Sequence, residues 1–348
     1  MLGLPQPSDG RLALNGWIGR TLSKVRLLRR IGRGGMADVY LGEHLTLHRP
    51  VAVKILNAHF SEDPYLLARF QTEARAVAAL RHPNILQVFD FDVIDGRPYI
   101  VMEFINGFSL EGYLEELRQR SILMQPEQVA SLIRPLAAAL DYAHEQGVLH
   151  RDIKPANVML RCSGPFPEEP APLPANCTPV LMDFGLARIG HNPGQTTPGT
   201  IMGTPAYMSP EQAQGQEIDG RSDVYSLGVM AYQMLAGRPP FEGAGSTPAS
   251  ILFAQVHTPP PMPLVIGPAV RTVLQRALAK RPDDRYPSAG AMAAALDKAV
   301  AKDAAEVKQP RFALPRLAWI GIIGLGLAGA MAGMCLAGGL VARALPRA

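Results

Sequence analysis

The octapeptide HRDIKPAN, residues 150–157, constrains this chain more than any other stretch. It sets three reactive side-chain types at fixed offsets, each suited to a different task. Asp152 is placed to accept a hydroxyl proton, and Lys154, two residues on, to steady a phosphoryl group in transfer. Asn157 offers an amide oxygen to Mg²⁺. Downstream, DFG at residues 183–185 lies between an apolar VLM run and a glycine, and its Asp183 supplies a carboxylate for the same metal. A DFG tripeptide recurs by chance; the octapeptide does not.

The periodicity around these motifs predicts a small β-rich unit followed by a larger helical one, with a cleft between them. VYLGEH, PVAVKIL and PYIVMEF have the Val, Ile and Tyr content of strands. YLLARFQTEARAVAAL, residues 65–80, has helical spacing, with Leu66, Phe70, Ala74 and Val77 along one face. Beyond Gly107 the pattern turns helical, as in PEQVASLIRPLAAALDYAHEQG, DVYSLGVMAYQMLAG and AVRTVLQRALAK.

Two stretches of the β-rich unit suit a phosphate chain. IGRGGMADVY, residues 31–40, reads as a hairpin tip between the strands KVRLLRRI and VYLGEH. Backbone N–H groups there could approach phosphate oxygens that side chains at Gly32 and Gly34 would obstruct. Val39 would place an apolar side chain over a base. Ala37 occupies the slot where a third glycine is expected. In VAVK, residues 51–54, the Lys54 ammonium can neutralise phosphate charge if a carboxylate holds its stem, and Glu73 on the 65–80 helix is the candidate. Taken singly, a strand-edge lysine and a solvated helix glutamate are equally ordinary residues.

Taken together and in order, these motifs resemble those of the eukaryotic-like (Hanks-type) bacterial Ser/Thr protein kinases of the membrane-anchored type, over residues 18–300. The resemblance implies an α+β, two-lobed protein-kinase fold, with an N-lobe at 18–105 and a C-lobe at 106–300. It further implies ATP with Mg²⁺, or Mn²⁺ in its place, in the cleft, and transfer of the γ-phosphate to Ser/Thr hydroxyls of protein substrates. Residues Ile31, Gly32, Arg33, Gly34, Gly35, Met36, Ala37, Asp38 and Val39 match the glycine loop. Ala52 and Lys54 match the strand beneath it, and Met102, Glu103 and Ile105 of VMEFI match the hinge that faces adenine. Glu73 matches the partner of Lys54, Asp152 the catalytic base with Lys154 beside it, and Asn157 and Asp183 the metal ligands.

By the same resemblance GTPAYMSPE, residues 203–211, docks peptide substrate, with Ser209 in place of the usual alanine. Glu211 should pair with Arg285 of RPDDRYPSA, and Asp223 should brace the catalytic loop. Thr197 or Thr200 is expected to be autophosphorylated, with Arg151 among the groups that hold the phosphate. An inert scaffold of the same fold is the alternative, and Ala37 is its only support.

The remaining segments set the expected setting. Residues 1–17 read as a flexible leader, 164–179 as a proline-rich insert, 301–316 as a juxtamembrane linker and 343–348 as a short tail. Residues 317–342 carry no charge and are long enough to cross a bilayer as one helix in the cell (inner) membrane. Arginine on both flanks gives no orientation, and the need for cytosolic ATP puts the kinase domain on the cytoplasmic face. Gly329 and Gly333 would let two such helices pack closely, so a homodimer is a candidate; an alanine- and glycine-rich composition accounts for the same residues. From residue 300 onward, six Lys/Arg against Asp303 and Glu306 account for the whole net charge of +4. The remainder balances to zero, which argues against a nucleic-acid partner. Three widely spaced cysteines, Cys162, Cys177 and Cys335, argue against a disulfide framework and against a zinc site.

Overall fold

The computed structural model describes residues 16–35, 37–57, 64–163, 173, 176–184, 205–243, 245 and 247–308; for residues 64–70, 73, 307 and 308 only the backbone is described. Residues 1–15 of the expected leader, most of the insert, both candidate phosphothreonines, the membrane segment and the tail therefore lie outside the described residues. Among the described residues no helix is long and apolar enough to cross a membrane. The chain divides into two compact units, Met1–Ala301 and Lys302–Ala348.

In the first unit an antiparallel sheet is followed by a mainly helical half, as the change in periodicity predicts. The strands are β1 (Thr21–Leu22), β2 (Val25–Arg33), β3 (Ala37–His44), β4 (Arg49–Leu56), β5 (Val88–Ile94) and β6 (Arg97–Glu103). They lie in the order β1-β2-β3-β4-β6-β5. The helix α1 (Pro64–Ala79) enters between β4 and β5. The sequence pattern singled out β3, β4, β6 and the run that forms β2. It passed over β5, because VFDFDVI places two exposed aspartates among its apolar residues.

Alternation along the strands sorts side chains onto two faces. Val51, Val53 and Ile55 of β4 join Leu22, Leu27, Tyr40 and Tyr99 in a small core on one face. Ala52 points the other way, into the main core with Ala74, Val77, Ile100 and Met102. The register opposes Lys54 to Val39 on one side and to Ile100 on the other, and opposes Ala52 to Met102. The period of two thus delivers Val39, Ala52, Lys54 and Met102 to the same side of the sheet, where the cleft lies.

A short three-stranded sheet follows, β7 (Gly107–Ser109), β8 (Val158–Cys162) and β9 (Cys177–Leu181). The helices of this half are α2 (Leu110–Gln119), α3 (Pro126–Glu145), α4 (Pro210–Ala213), α5 (Gly220–Ala236), α6 (Pro248–His257), α7 (Pro268–Ala277) and α8 (Ala289–Lys308). Helix α5 is buried almost all round, as expected of a helix that is apolar on every face. Asp219 caps its start, and Gly237, at φ 77°, ends it in the left-handed conformation. Gly228 is required within it, because a Cβ there would meet the Ala277 Cβ of α7 at 2.9 Å.

Three sequence-based expectations change. Helix α8 continues through 301–308, the first half of the stretch expected as a linker. The insert is shorter than 164–179, because Cys177, Thr178 and Pro179 belong to β9 and pair with Cys162, Arg161 and Leu160. The cysteines are not all unpaired: Cys162 and Cys177 stand opposite each other in register, Cα atoms 4.0 Å apart, and form a disulfide. Their separation in the chain hides what the hairpin makes adjacent.

Candidate active site

The β8–β9 pair explains how one site can draw on residues separated by the insert. Its near end carries both expected metal ligands: Asn157 precedes Val158, Asp183 follows Leu181 and Met182, and Val158 pairs with Leu181. The Met182 N–H donates to the Asn157 carbonyl at 2.9 Å, which locks the two ends together. The chain leaves this pair towards the insert at the opposite end, beyond the Cys162–Cys177 pairing.

Within the octapeptide, a single 3-10 turn, Pro155–Asn157, folds Asn157 back towards Asp152. The Asn157 amide nitrogen donates to the Asp152 backbone carbonyl at 2.8 Å and to its carboxylate at 2.9 Å. With both N–H bonds directed there, Asn157 has only its oxygen to offer a cation. Lys154 Nζ lies 2.8 Å from the Asp152 carboxylate. Both side chains keep some exposure, 18% for Lys154 and 23% for Asp152, so the pair opens onto the cleft.

Lys54 reaches across from β4 to Asp183, Nζ to Oδ1 at 2.6 Å. Burial acts to raise the Asp183 pKa, but the Lys54 ammonium outweighs it and holds the carboxyl below its ordinary range. Asp183 itself sits at φ 57°, unusual for a residue with a side chain. Phe184 is 1% exposed and packs against the His150 ring, centroids 4.5 Å apart. Glu73 lies on α1, with a side chain outside the described atoms, so the expected Lys54–Glu73 pair is not addressed.

His150 is a fixed packing residue. It is fully buried, its Nε2 lies 2.9 Å from the Met182 carbonyl, and its Nδ1 accepts the Asp152 N–H at 3.3 Å. Only the neutral ring with the proton on Nε2 satisfies both contacts. Burial lowers its pKa in the same direction, against the pull of Asp223 and Asp152. Asp223 accepts the backbone N–H groups of His150 at 2.9 Å and Arg151 at 2.8 Å, and pairs with His144 Nε2 at 2.7 Å. Burial acts to raise its pKa, but these donors keep its carboxyl below the usual range. Glu211 and Arg285 form a two-pronged buried pair at 2.7 and 2.8 Å.

The glycine-loop stretch spans the end of β2 and the start of β3, with Met36 outside the described residues. Ile31, Arg33, Gly34 and Gly35 are exposed, and Gly32 packs its backbone beside Val39. Val39 rests against the main core, and Asp38 faces Arg30 at 3.6 Å. Ala37 is the first residue of β3: it is 6% exposed, pairs with Leu56 and does not adopt positive φ. Its carbonyl accepts the Gly34 N–H at 3.0 Å. A third glycine is therefore not needed for the backbone at this position.

At the hinge, Met102 is buried and faces Ala52, and Ile105 is buried in the main core. The Glu103 N–H donates to the Gln87 carbonyl at 2.9 Å, while its side chain pairs with Arg161 of β8 at 2.7 Å. Sequence reasoning missed this pair, and also Asn57, whose amide donates to the Gly35 carbonyl at 2.8 Å and tethers the loop tip. Neither carries a sequence signal, because both are made by contacts between elements. No cluster of three or more His, Cys, Asp or Glu suited to a metal occurs among the described residues. One carboxylate and one amide oxygen fit an Mg²⁺ ion that takes its remaining ligands from phosphates and water.

A model of the protein kinase domain matches residues 25–296. Serine/threonine-protein kinase Pkn1 of Myxococcus xanthus is 43% identical over 294 residues, covering 82% of this chain and 39% of that protein. PknB of Mycobacterium leprae is 38% identical over 275 residues, covering 76% of this chain and 41% of its own length. The chain thus spans about two fifths of the length of these curated relatives. A crystal structure of the Mycobacterium tuberculosis PknI kinase domain superposes with a TM-score of 0.61 at 29% identity, covering 83% of this chain and all of that domain. With the lobes, the catalytic-loop geometry and the Asp183 contact in place, the chain belongs to the protein kinase family, among its Hanks-type bacterial serine/threonine members.

Proposed function

We propose that the chain transfers the γ-phosphate of Mg-ATP to serine and threonine hydroxyls of proteins. One observation carries the reading: Lys54 from the sheet pairs with Asp183 at 2.6 Å, Asn157 with Asp152 at 2.9 Å, and the Met182 N–H bond to the Asn157 carbonyl at 2.9 Å ties the two pairs together. The names of the bacterial relatives supply the serine/threonine class.

Each side chain has a derivable part. The Asp152 carboxylate accepts the proton of the attacking hydroxyl, whose oxygen bonds to the γ-phosphorus as the bond to the bridging oxygen breaks. ADP departs with that electron pair. Lys54 meets the phosphate oxygens from above, and Lys154 brings positive charge to the phosphoryl group in transit. Asn157 and Asp183 would hold Mg²⁺, which when bound neutralises charge on the phosphate oxygens. The test is transfer of labelled phosphate from ATP to a general protein substrate. Wild type should be active, and Lys54→Met and Asp152→Asn should not. A wild type inert with both Mg²⁺ and Mn²⁺ sinks the proposal and leaves a scaffold.

Three further parts of the reading rest on sequence alone. The uncharged run 317–342 anchors the chain in the cell membrane with the kinase domain in the cytoplasm, and its paired glycines support a homodimer. Full-length chain should sediment with membranes while a chain ending at residue 308 stays in the supernatant; equal partitioning refutes the anchor. Leucine at both Gly329 and Gly333 should abolish association in a membrane two-hybrid assay if the homodimer is real. Autophosphorylation at Thr197 or Thr200 activates the enzyme, and mass spectrometry of wild type against Asp152→Asn tests it. Absence of phosphate on both threonines would end that idea.

A further inference from the structure

Arg151, immediately before Asp152, adopts φ 67°, a conformation that a residue with a side chain keeps only where its surroundings over-determine it. Both faces of its peptide are held. Its N–H donates to Asp223 Oδ1 at 2.8 Å, and its carbonyl accepts from Gln212 Nε2 at 2.9 Å. The first partner is the aspartate already described. The second comes from a different part of the fold, α4, directly after the segment 203–211 expected to dock peptide substrate.

Gln212 is itself anchored at both ends. Its side-chain oxygen accepts the Ser209 N–H at 3.0 Å, and its own N–H donates to Ser209 Oγ at 3.3 Å, a reciprocal cap on α4. Ser209 is fully buried, and the neighbouring Glu211 is pinned by Arg285. One amide group therefore joins a locked helix start to the residue that precedes the expected base. Serine at 209 is what makes the cap possible, since alanine has no hydroxyl to close it.

We propose that Gln212 is a positioning residue for phosphoryl transfer. Its N–H holds the Arg151 carbonyl, and so sets Asp152 relative to the segment that presents the substrate hydroxyl. The inference rests on the transferase reading above. Because it acts through another residue, its removal should alter turnover and leave nucleotide binding unchanged.

Gln212→Glu isolates the contact. One carboxylate oxygen still accepts the Ser209 N–H, so the cap survives, but an ionised carboxylate cannot donate to the Arg151 carbonyl. The kcat at pH 7.5 should fall by roughly tenfold or more, as small misplacements of catalytic groups do. Both KM for ATP and Tm should stay near wild type. As pH falls and the carboxyl takes up a proton it regains a donor, so the ratio of variant to wild-type kcat should rise. Asp141→Ala, outside the catalytic and docking segments, provides the stability control: it removes the carboxylate that accepts the Ala289 and Gly290 N–H groups at 2.9 Å and caps the start of α8, so Tm should drop with kcat kept. Equal kcat for Gln212→Glu and wild type, or a ratio flat with pH, overturns the proposal. So does a kcat loss in Asp141→Ala as large as in Gln212→Glu, which would make the effect one of general stability. A wild type without transfer activity overturns the transferase reading instead.

Discussion

Glu211→Gln tests how far the C-terminal half depends on its buried ion pair. The Arg285 side chain is 0% exposed and that of Glu211 5%. The guanidinium makes two bonds to Glu211 and one each to the carbonyls of Ala279, Arg221 and Lys280. Ser222 Oγ also donates to Glu211. Glutamine preserves the shape but removes the charge and turns an N–H towards a guanidinium that can only donate. Removing one partner of a buried pair costs about 3–5 kcal/mol, a large share of the roughly 5–15 kcal/mol by which domains are stable. At about 2–4 °C per kcal/mol for a domain of this class, Tm should fall by on the order of 6–20 °C in scanning calorimetry. The pH dependence gives a second reading. Burial acts to raise the Glu211 pKa, but the Arg285 and Ser222 bonds outweigh it and hold the carboxyl below its ordinary value. A depressed folded pKa contributes stability that is present above the unfolded pKa of about 4.3. That stability is lost as pH falls through the folded value. The difference in stability between wild type and variant should therefore shrink below about pH 4. A variant that melts within a degree or so of wild type, or a difference that does not change with acid, would refute the reasoning.

Four further outcomes follow from the same geometry. Asp152→Asn should lower kcat by roughly 10²–10⁴-fold and leave calorimetric Tm unchanged, because the side chain lies at the open edge of the cleft. Lys54→Met should weaken ATP binding by about ten- to a hundredfold in titration calorimetry, the worth of one charge-assisted contact. Ala37→Gly should cost about 0.5–1 kcal/mol in denaturant titration without tightening ATP binding, since Ala37 lies in a strand with ordinary φ. A non-reducing peptide map should show the Cys162 and Cys177 peptides joined, and a reduced map should separate them.

Much of the site was legible in the chain because catalytic-loop chemistry is local. HRDIKPAN and the VLM-DFG run dictate their own turns, and a strand period of two dictates that Val39, Ala52 and Lys54 share a face. The S-x-x-Q spacing of Ser209 and Gln212 is likewise a readable helix start. β5 was missed for the opposite reason: its two exposed aspartates interrupt an apolar pattern that only the neighbouring β6 makes sense of.

Sequence by itself determined the order of elements, the face each strand turns to the cleft and the identity of the reactive groups, since all three depend on near neighbours. Tertiary structure alone decided which groups meet. Lys54 and Asp183 lie 129 residues apart, Gln212 and Arg151 61 apart, and Glu103 and Arg161 58 apart. Only packing determines such pairs, because a residue carries no mark of its partner until the backbone between them is folded. Cys162 and Cys177 make the same point at 15 residues: their spacing is uninformative until the β8–β9 register sets them face to face. Ala37 went the other way. The sequence showed a missing glycine, and the fold showed a strand residue at a position with no need of one.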